Sequence, residues 1–362
     1  MKVLLLSAYD AASHRAWRAQ LTAYLPEIDW HQLVLPARYF NWRIRGNSLS
    51  WAYENRDVFE QDYDLLLATD MVDLNGLRGF VPQLGSIPTI VYFHENQFAY
   101  PLSDAMQAER FLEPKIVNLY SALSADKLVF NSHYNRDSFV DGVTSFLNNM
   151  PDHVPPDLVE GILEKSTVIA VPIAEEYFQP VIPRNDPPVL LWNHRWEYDK
   201  APERLYALLE KLCEKNTAFK INIIGPHFRR QPDVFSRIEQ DFSDYIIHFG
   251  YLDTHEEYLS VLHQSDYVLS TAIHDFQGLA LIEAIASGCI PIVPNRLYYP
   301  DYIPSTYCYE SYLDDIEQEA TAMAGLLSRL FATSEHSEID VSRFKMENLK
   351  PQYMNIFKKI MK

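Results

Sequence analysis

Short, near-continuous apolar runs alternate with helical stretches along this chain, and the alternation occurs twice. In the first half the runs are Val3–Leu6, Leu65–Ala68, Thr89–Phe93 and Lys127–Phe130. In the second they are Val189–Trp192, Ile221–Ile224, Ile246–Phe249, Tyr267–Ser270 and Ile290–Val293. Strands that are apolar on both faces belong to parallel sheets covered by helices on both sides. Two such sets predict an α/β protein of two Rossmann-like, doubly wound domains. A length of 362 residues exceeds one ordinary core and suits two.

Punctuation places the domain limits. The stretch from Val171-Pro172-Ile173 to Pro188 carries Pro172, Pro180, Pro183, Pro187 and Pro188, which break both helical and strand periodicity. The expected layout is a first domain over residues 1–172, a linker over 173–188 and a second domain over 189–340. A C-terminal helix over 341–362, patterned around Val341–Met361, is expected to cross back to the first domain.

Composition narrows the class. With 48% hydrophobic and 13% aromatic residues, each half can bury a core, and disorder is excluded. A net charge of −18 opposes nucleic acid unless cations gather locally. Cys213, Cys289 and Cys308 form neither a metal spacing nor a disulfide framework, which fits a reducing compartment. The opening Met-Lys-Val-Leu-Leu-Leu-Ser reads as one strand, and no run approaches the ~20 apolar residues of a membrane span. A soluble, cytoplasmic protein with no membrane partner is expected.

Four segments carry chemistry. Leu191–Lys200 follows the first strand of the second domain, at the carboxyl edge where such folds bind ligands. Within it Arg195 and Lys200 offer a planar guanidinium and a compact ammonium to a diphosphate, or else pair with Glu197 and Asp199 on a solvated loop. His274-Asp275-Phe276-Gln277-Gly278 runs from another strand into a helix bearing Glu283. Gly278 there is expected to admit a ligand to the backbone at a helix N-terminus. Asp275 and Glu283 suit the sugar hydroxyls and ribose diol of a nucleotide sugar; otherwise they are a helix-start aspartate and a surface glutamate.

His94-Glu95-Asn96-Gln97 closes a strand of the first domain, where four polar residues in a row are costly unless they face a ligand cleft. His94 is a candidate for supporting the transferring sugar, or a satisfied structural histidine. The first strand–helix turn, Ser7 to His14, lacks the Gly-x-Gly-x-x-Gly of a dinucleotide site, which argues against an oxidoreductase. Ser13 either caps the next helix or, with His14, faces acceptor and phosphate. Finally, Arg38, Arg43 and Arg45 interleave with Tyr39, Phe40 and Trp42, as a strand or loop suited to phosphates and unstacked bases. The alternative pairs those arginines with Glu54 or Asp57.

These segments, in this order, resemble the retaining glycosyltransferases of family four, which have the GT-B fold of two domains facing each other across a cleft. The resemblance implies that Arg195 and Lys200 hold the donor diphosphate, with His274, Phe276, Gln277, Gly278 and Glu283 completing the donor site. It implies catalytic roles for His94, Arg195, Lys200 and Asp275, the last standing where the family has glutamate. No metal ligand and no cofactor are implied beyond a nucleotide-sugar donor. Pro36-Ala37-Arg38 with Trp42-Arg43-x-Arg45, Tyr92–Gln97, Phe130-Asn131-Ser132, His194–Lys200 and Gly288-Cys289 are similar to the tRNA-queuosine mannosyltransferases. That narrower resemblance implies GDP-mannose as donor and queuosine in a tRNA, such as tRNA-Asp, as acceptor. Ser13, His14, Arg38, Trp42, Arg43, Arg45, Glu95, Asn96 and Gln97 would then serve the acceptor. A glycan or lipid acceptor, a nucleotide-sugar epimerase and a non-catalytic nucleotide-sugar-binding protein remain alternatives.

Overall fold

The computed structural model describes residues 1–100, 112–180, 185–226, 232–333 and 339–361. The chain forms two compact units, one of Met1–Pro172 with Met346–Lys362 and one of Ile173–Lys345.

The first unit is built on β1 (Lys2–Asp10), β2 (Asp29–Pro36), β3 (Leu65–Thr69), β4 (Thr89–Phe93), β5 (Lys127–Phe130) and β6 (Ser166–Val168). They lie in the order β2-β1-β3-β4-β5-β6, and every adjacent pair is parallel. β3 and β4 are buried throughout, as their uninterrupted apolar runs require. β2 and β6 are edge strands with partly exposed residues; their broken hydrophobicity hides them from a search for continuous runs. Phe93 stacks on Phe130 with ring centroids 4.6 Å apart, and Phe139 closes the cluster at 5.0 Å from Phe93. Three buried rings of this kind contribute about 2–3 kcal/mol each.

The terminal helix Met346–Ile360 belongs to this unit. Its Tyr353 hydroxyl accepts from Trp17 Nε1 at 3.0 Å and donates to the Ala170 carbonyl at 2.8 Å. One buried phenol thus ties the chain's end to its first helix, Ala12–Tyr24.

From Phe40 onward the segment Arg38–Arg45 is helical, not a strand or loop: Tyr39 caps the helix Phe40–Glu54 and Arg38 precedes it. Ile44, Asn47, Ser48, Trp51 and Ala52 form the buried side at helical spacing. Two of those inward residues are polar, which masks the 3.6-residue period. Ser13 does not cap the helix Ala12–Tyr24; Ala11 holds the cap position, and Ser13 lies one residue inside.

The second unit is built on β7 (Val189–Asn193), β8 (Lys220–Ile224), β9 (Ile246–Gly250), β10 (Tyr267–Leu269), β11 (Ile290–Pro294) and β12 (Cys308–Tyr309). Their order is β12-β11-β10-β7-β8-β9, again all parallel. β7 and β10 are central neighbours, so the loops that follow them emerge side by side. Of the proline-rich stretch 173–188, Ile173 bridges Lys345 and Asn185 is hydrogen-bonded to Asp266; residues 181–184, including Pro183, lie outside the described residues. Among the described residues, no helix is long and apolar enough to cross a membrane.

Candidate functional site

In the second unit the loops after β7 and β10 are fastened together. The Asp199 carbonyl accepts from the backbone N–H groups of Ile273 and His274 at 3.0 and 3.3 Å. Thr271 Oγ1 donates to the Lys200 carbonyl at 2.6 Å and accepts from Trp192 Nε1 at 2.9 Å. Arg296 reaches under the second loop, donating to the carbonyls of Ala272 and Thr271 at 2.9 and 3.2 Å. Its other edge grips the fully buried Glu319 in a bidentate pair at 2.8 and 2.9 Å. Such a fork fixes both loops without moving parts.

This frame brings Arg195, Lys200, His274, Asp275 and Gly278 into one neighbourhood. Lys200 Nζ donates to the His274 carbonyl at 2.7 Å and pairs with Asp199 at 3.1 Å and Asp275 at 3.4 Å. Arg195 is half-exposed, paired with Glu197 at 3.1 Å and 3.9 Å from Asp199. The two cations therefore sit among three carboxylates, and the loop ion pairs that the sequence offered with Glu197 and Asp199 are formed. Burial pushes Asp275 up, yet Lys200, with His194, His274 and Arg195, holds its carboxyl below the usual range. Burial, reinforced by Lys200, lowers His194 and His274 each to about 4, so both rings are neutral near pH 7.

Gly278 caps the helix Leu279–Ala286 with φ +66°, and its N–H donates to Asp275 Oδ1 at 3.1 Å. Room for ligand approach is not what requires glycine here: a Cβ would collide with the Tyr298 hydroxyl. Gly225, at φ +147°, is required likewise, because a Cβ would strike the His194 carbonyl. Glu283 is not a surface residue. Tyr258 donates to its Oε2 at 2.7 Å, and Asn193 Nδ2 donates to the same phenol at 2.7 Å. Burial raises the Glu283 pKa, partly offset by that phenol. Phe276 packs edge-on to His274 at 4.6 Å, and Gln277 is buried.

The first unit holds a second cluster at the carboxyl edge of its sheet. His94 stacks on His14 with centroids 4.0 Å apart, and Trp17 and Tyr92 enclose it at 4.9 and 4.7 Å. Burial, with His14 adding, drives the His94 pKa well below the ordinary value; burial lowers His14 to about 4. Neither ring nitrogen of His94 has a hydrogen-bonding partner among the described residues. Glu95 is half-buried and accepts from Gln97 Nε2 at 3.3 Å.

Asn96 and Gln97 are buried and tied into the protein's own hydrogen bonds. Asn96 is wholly buried: its amide donates to Asn135 and Ser138, and its oxygen accepts from the N–H groups of Phe98 and Ala99. The Gln97 N–H donates to Asn118 Oδ1 at 2.8 Å. These two residues hold the loop that presents Glu95, which resolves how four polar residues can follow one another at a strand's end.

On the helix Phe40–Glu54, Trp42 is 57% exposed with its indole over Gly46. Arg38 lies 5.6 Å over the Tyr39 ring. Arg45 pairs with Asp73 at 3.2 Å and Glu113 at 3.3 Å, not with Glu54 or Asp57. Arg43 is half-buried, with its Nε unpartnered. Tyr258, Arg296 and Tyr298 carried no motif that marks them in sequence. Among the described residues, no group of three or more His, Cys, Asp or Glu is placed to hold a metal ion.

Comparison with known proteins fits this arrangement. Residues 2–173 match the family model of the tRNA-queuosine alpha-mannosyltransferase N-terminal domain, and residues 174–336 match that of glycosyl transferases group 1. A tRNA-queuosine alpha-mannosyltransferase of Drosophila melanogaster is 32% identical over 372 residues, covering 99% of this chain and 96% of that protein. Sucrose-phosphate synthase from Thermosynechococcus elongatus superposes with a TM-score of 0.71 at 14% identity, over 99% of both chains. A glycosyltransferase from Rickettsia africae gives 0.66 at 16% identity, over 100% of this chain and 98% of its own. These two share the GT-B fold. The chain is a glycosyltransferase, and it belongs to the tRNA-queuosine alpha-mannosyltransferase family.

Proposed function

We propose that this protein transfers mannose from GDP-mannose to a hydroxyl of queuosine in a tRNA, tRNA-Asp foremost, in the cytoplasm. The observation that supports this reading is the end-to-end match, at 32% identity, to a relative named tRNA-queuosine alpha-mannosyltransferase. In the proposed reaction the bond between the sugar's anomeric carbon and the diphosphate oxygen breaks. A bond from the same face to the acceptor oxygen forms, and the acceptor proton passes to the leaving phosphate. The anomeric configuration is retained.

Charge builds on the diphosphate as it leaves, and Arg195 and Lys200 offset it, with the N-terminus of the helix Leu279–Ala286 adding its dipole. Two fixed cations supply the neutralisation that a divalent ion supplies elsewhere, so we propose that no metal is required. Asp275 accepts from the sugar's hydroxyls, while Glu283 accepts from the ribose diol. His94, neutral in its aromatic enclosure, supports the reacting sugar.

The test is direct. Purified protein is incubated with GDP-mannose, GDP-glucose, UDP-glucose or UDP-galactose and with tRNA that carries or lacks queuosine, with and without EDTA. Nucleoside mass spectrometry should find one added hexose only with GDP-mannose and queuosine-bearing tRNA, and EDTA should leave the rate unchanged. Equal transfer from a UDP-sugar would overturn the donor. Transfer to tRNA without queuosine would overturn the acceptor.

A further inference from the structure

At the carboxyl edge of the first sheet, buried polar atoms without a partner among the described residues gather at or just after the ends of three neighbouring strands. His14 Nδ1 follows β1, Thr69 Oγ1 and Asp70 Oδ2 end β3, and both ring nitrogens of His94 end β4. All four residues are at most 6% exposed. Each orphaned group is destabilising while it stays unpaired, and open α/β sheets bind ligands along this edge. Orphans scattered through a core would be defects; gathered on one ligand-binding edge, they describe a polar ligand.

Asp70 says most about that ligand. Its Oδ1 accepts from the His94 N–H at 3.1 Å, and its backbone carbonyl accepts from Asn118 Nδ2 at 2.9 Å. Asn118 also receives the Gln97 N–H, and Gln97 in turn donates to Glu95. One buried hydrogen-bonded chain therefore fixes Asp70 and Glu95 relative to each other. Burial raises the Asp70 pKa well above the usual carboxylate range, and the neighbouring Glu95 raises it further. Two carboxyls that disfavour each other's charge are stabilised together by a cation.

We propose that Asp70 and Glu95 form the subsite for a cationic, dihydroxylated group on the acceptor. The half-buried Glu95 contacts the ammonium, Asp70 at the other end of the hydrogen-bonded chain is a positioning residue whose ionised form a bound cation favours, and the neutral imidazoles of His14 and His94 meet the hydroxyls. This rests on the acceptor proposed above and deepens it. The queuosine base carries a cyclopentene diol through a secondary amine, and alkyl amines are protonated near neutrality. The same chemistry explains how so acidic a protein selects one base of a polyanion: the tRNA's phosphates are sequence-blind, whereas a cationic base is rare.

The experiment has a binding arm and a transfer arm. Saturation-transfer NMR on the whole protein compares 3-aminocyclopentane-1,2-diol with cyclopentane-1,2-diol. The amine should bind at least tenfold more tightly to wild type, Glu95→Gln should abolish that preference, Asp70→Asn should reduce it, and Glu95→Asp should restore part of it. In transfer assays Glu95→Gln should raise KM for queuosine-bearing tRNA at least tenfold, with a smaller fall in kcat. Equal binding of amine and neutral diol to wild type overturns the subsite, and so does an undiminished preference in Glu95→Gln. Absence of transfer to queuosine-bearing tRNA by wild type, with the amine preference intact, overturns the acceptor assignment instead.

Discussion

Tyr258 and Glu283 are joined by a 2.7 Å hydrogen bond in which the phenol donates and the half-buried carboxylate accepts. Because Asn193 donates to the same phenol at 2.7 Å, the hydroxyl has one proton direction and Glu283 one orientation. The phenol also favours the ionised carboxylate against burial. Tyr258→Phe should therefore weaken nucleotide-sugar binding, raising KM about 5–20-fold with kcat reduced less, since a ribose contact is alike in ground and transition states. Glu283→Gln should follow the same pattern. Asp275→Asn should instead lower kcat, because its proposed partner is the reacting sugar. Steady-state kinetics on the three variants separate the roles; an unaltered KM in both Tyr258→Phe and Glu283→Gln would remove the nucleotide from this site.

Arg195→Ala and Lys200→Ala should differ in stability although both side chains are proposed to serve the diphosphate. Each alanine variant should lose roughly 2–4 kcal/mol of transition-state stabilisation. Lys200 Nζ also neutralises Asp199, whose side chain is 0% exposed, and Asp275. Removing it strands a buried carboxylate, a cost of about 3–5 kcal/mol in folding. Arg195 is 47% exposed in its ion pairs, so its removal should barely move the melting temperature. Calorimetry beside kinetics checks both; a Lys200→Ala protein as stable as wild type would mean that Asp199 finds another partner.

Two sheets and the order of the polar loops were legible in the sequence because buried parallel strands must be apolar on both faces. Asp199 and Lys200 were visible because they are consecutive and charged. Tyr258 was not: it lies on the helix His255–His263, and only the pairing of that helix with Glu283 gives it a role. Arg296 and Glu319 were equally silent, since a fork across 23 residues has no local signature. The helix Phe40–Glu54 was misread because aromatic and arginine residues alternate through its first turns. Gly278 stood out as a glycine at a helix start, but the contact that requires it did not: a Cβ there would meet the Tyr298 hydroxyl, 20 residues away in sequence.

Stability should fall in mild acid, and His194 should account for a measurable part of it. Its pKa falls from 6.5 to about 4 on folding, chiefly through burial. The unfolded chain therefore binds the proton first. The contribution is fully present above pH 6.5, declines as pH falls, and levels off below about pH 4. Within that window one such group changes stability by about 1.4 kcal/mol per pH unit. His14 and His274 act in the same sense, and Asp70 and Glu283, with raised values, act in the opposite one. The clean measurement is the difference between wild type and His194→Gln in urea unfolding at pH 7, 6, 5 and 4.5. The variant's slope should be shallower by up to one proton; parallel slopes would show that folding leaves the His194 pKa unchanged.

If tRNA is the acceptor, a chain of net charge −18 must meet its phosphates with a local exception. The N-terminal end of the helix Phe40–Glu54 offers one: Tyr39 is 72% and Trp42 57% exposed, and the Arg38 guanidinium lies over the Tyr39 ring. Arg45 is a poor probe, because its partner Asp73 caps the helix Leu74–Phe80 and reversing Arg45 would unsettle that turn. Arg38→Glu and Trp42→Ala alter the same surface without touching a buried carboxylate. Arg38→Glu should weaken tRNA binding several-fold and lower the slope of log affinity against log salt by about 0.7–0.9 for one lost phosphate contact. Trp42→Ala should weaken binding by about 1–3 kcal/mol if a base stacks there, while leaving the salt slope unchanged. Filter binding across a salt series separates the two effects. Wild-type affinity and slope in both variants would exclude this end of the helix from the tRNA interface.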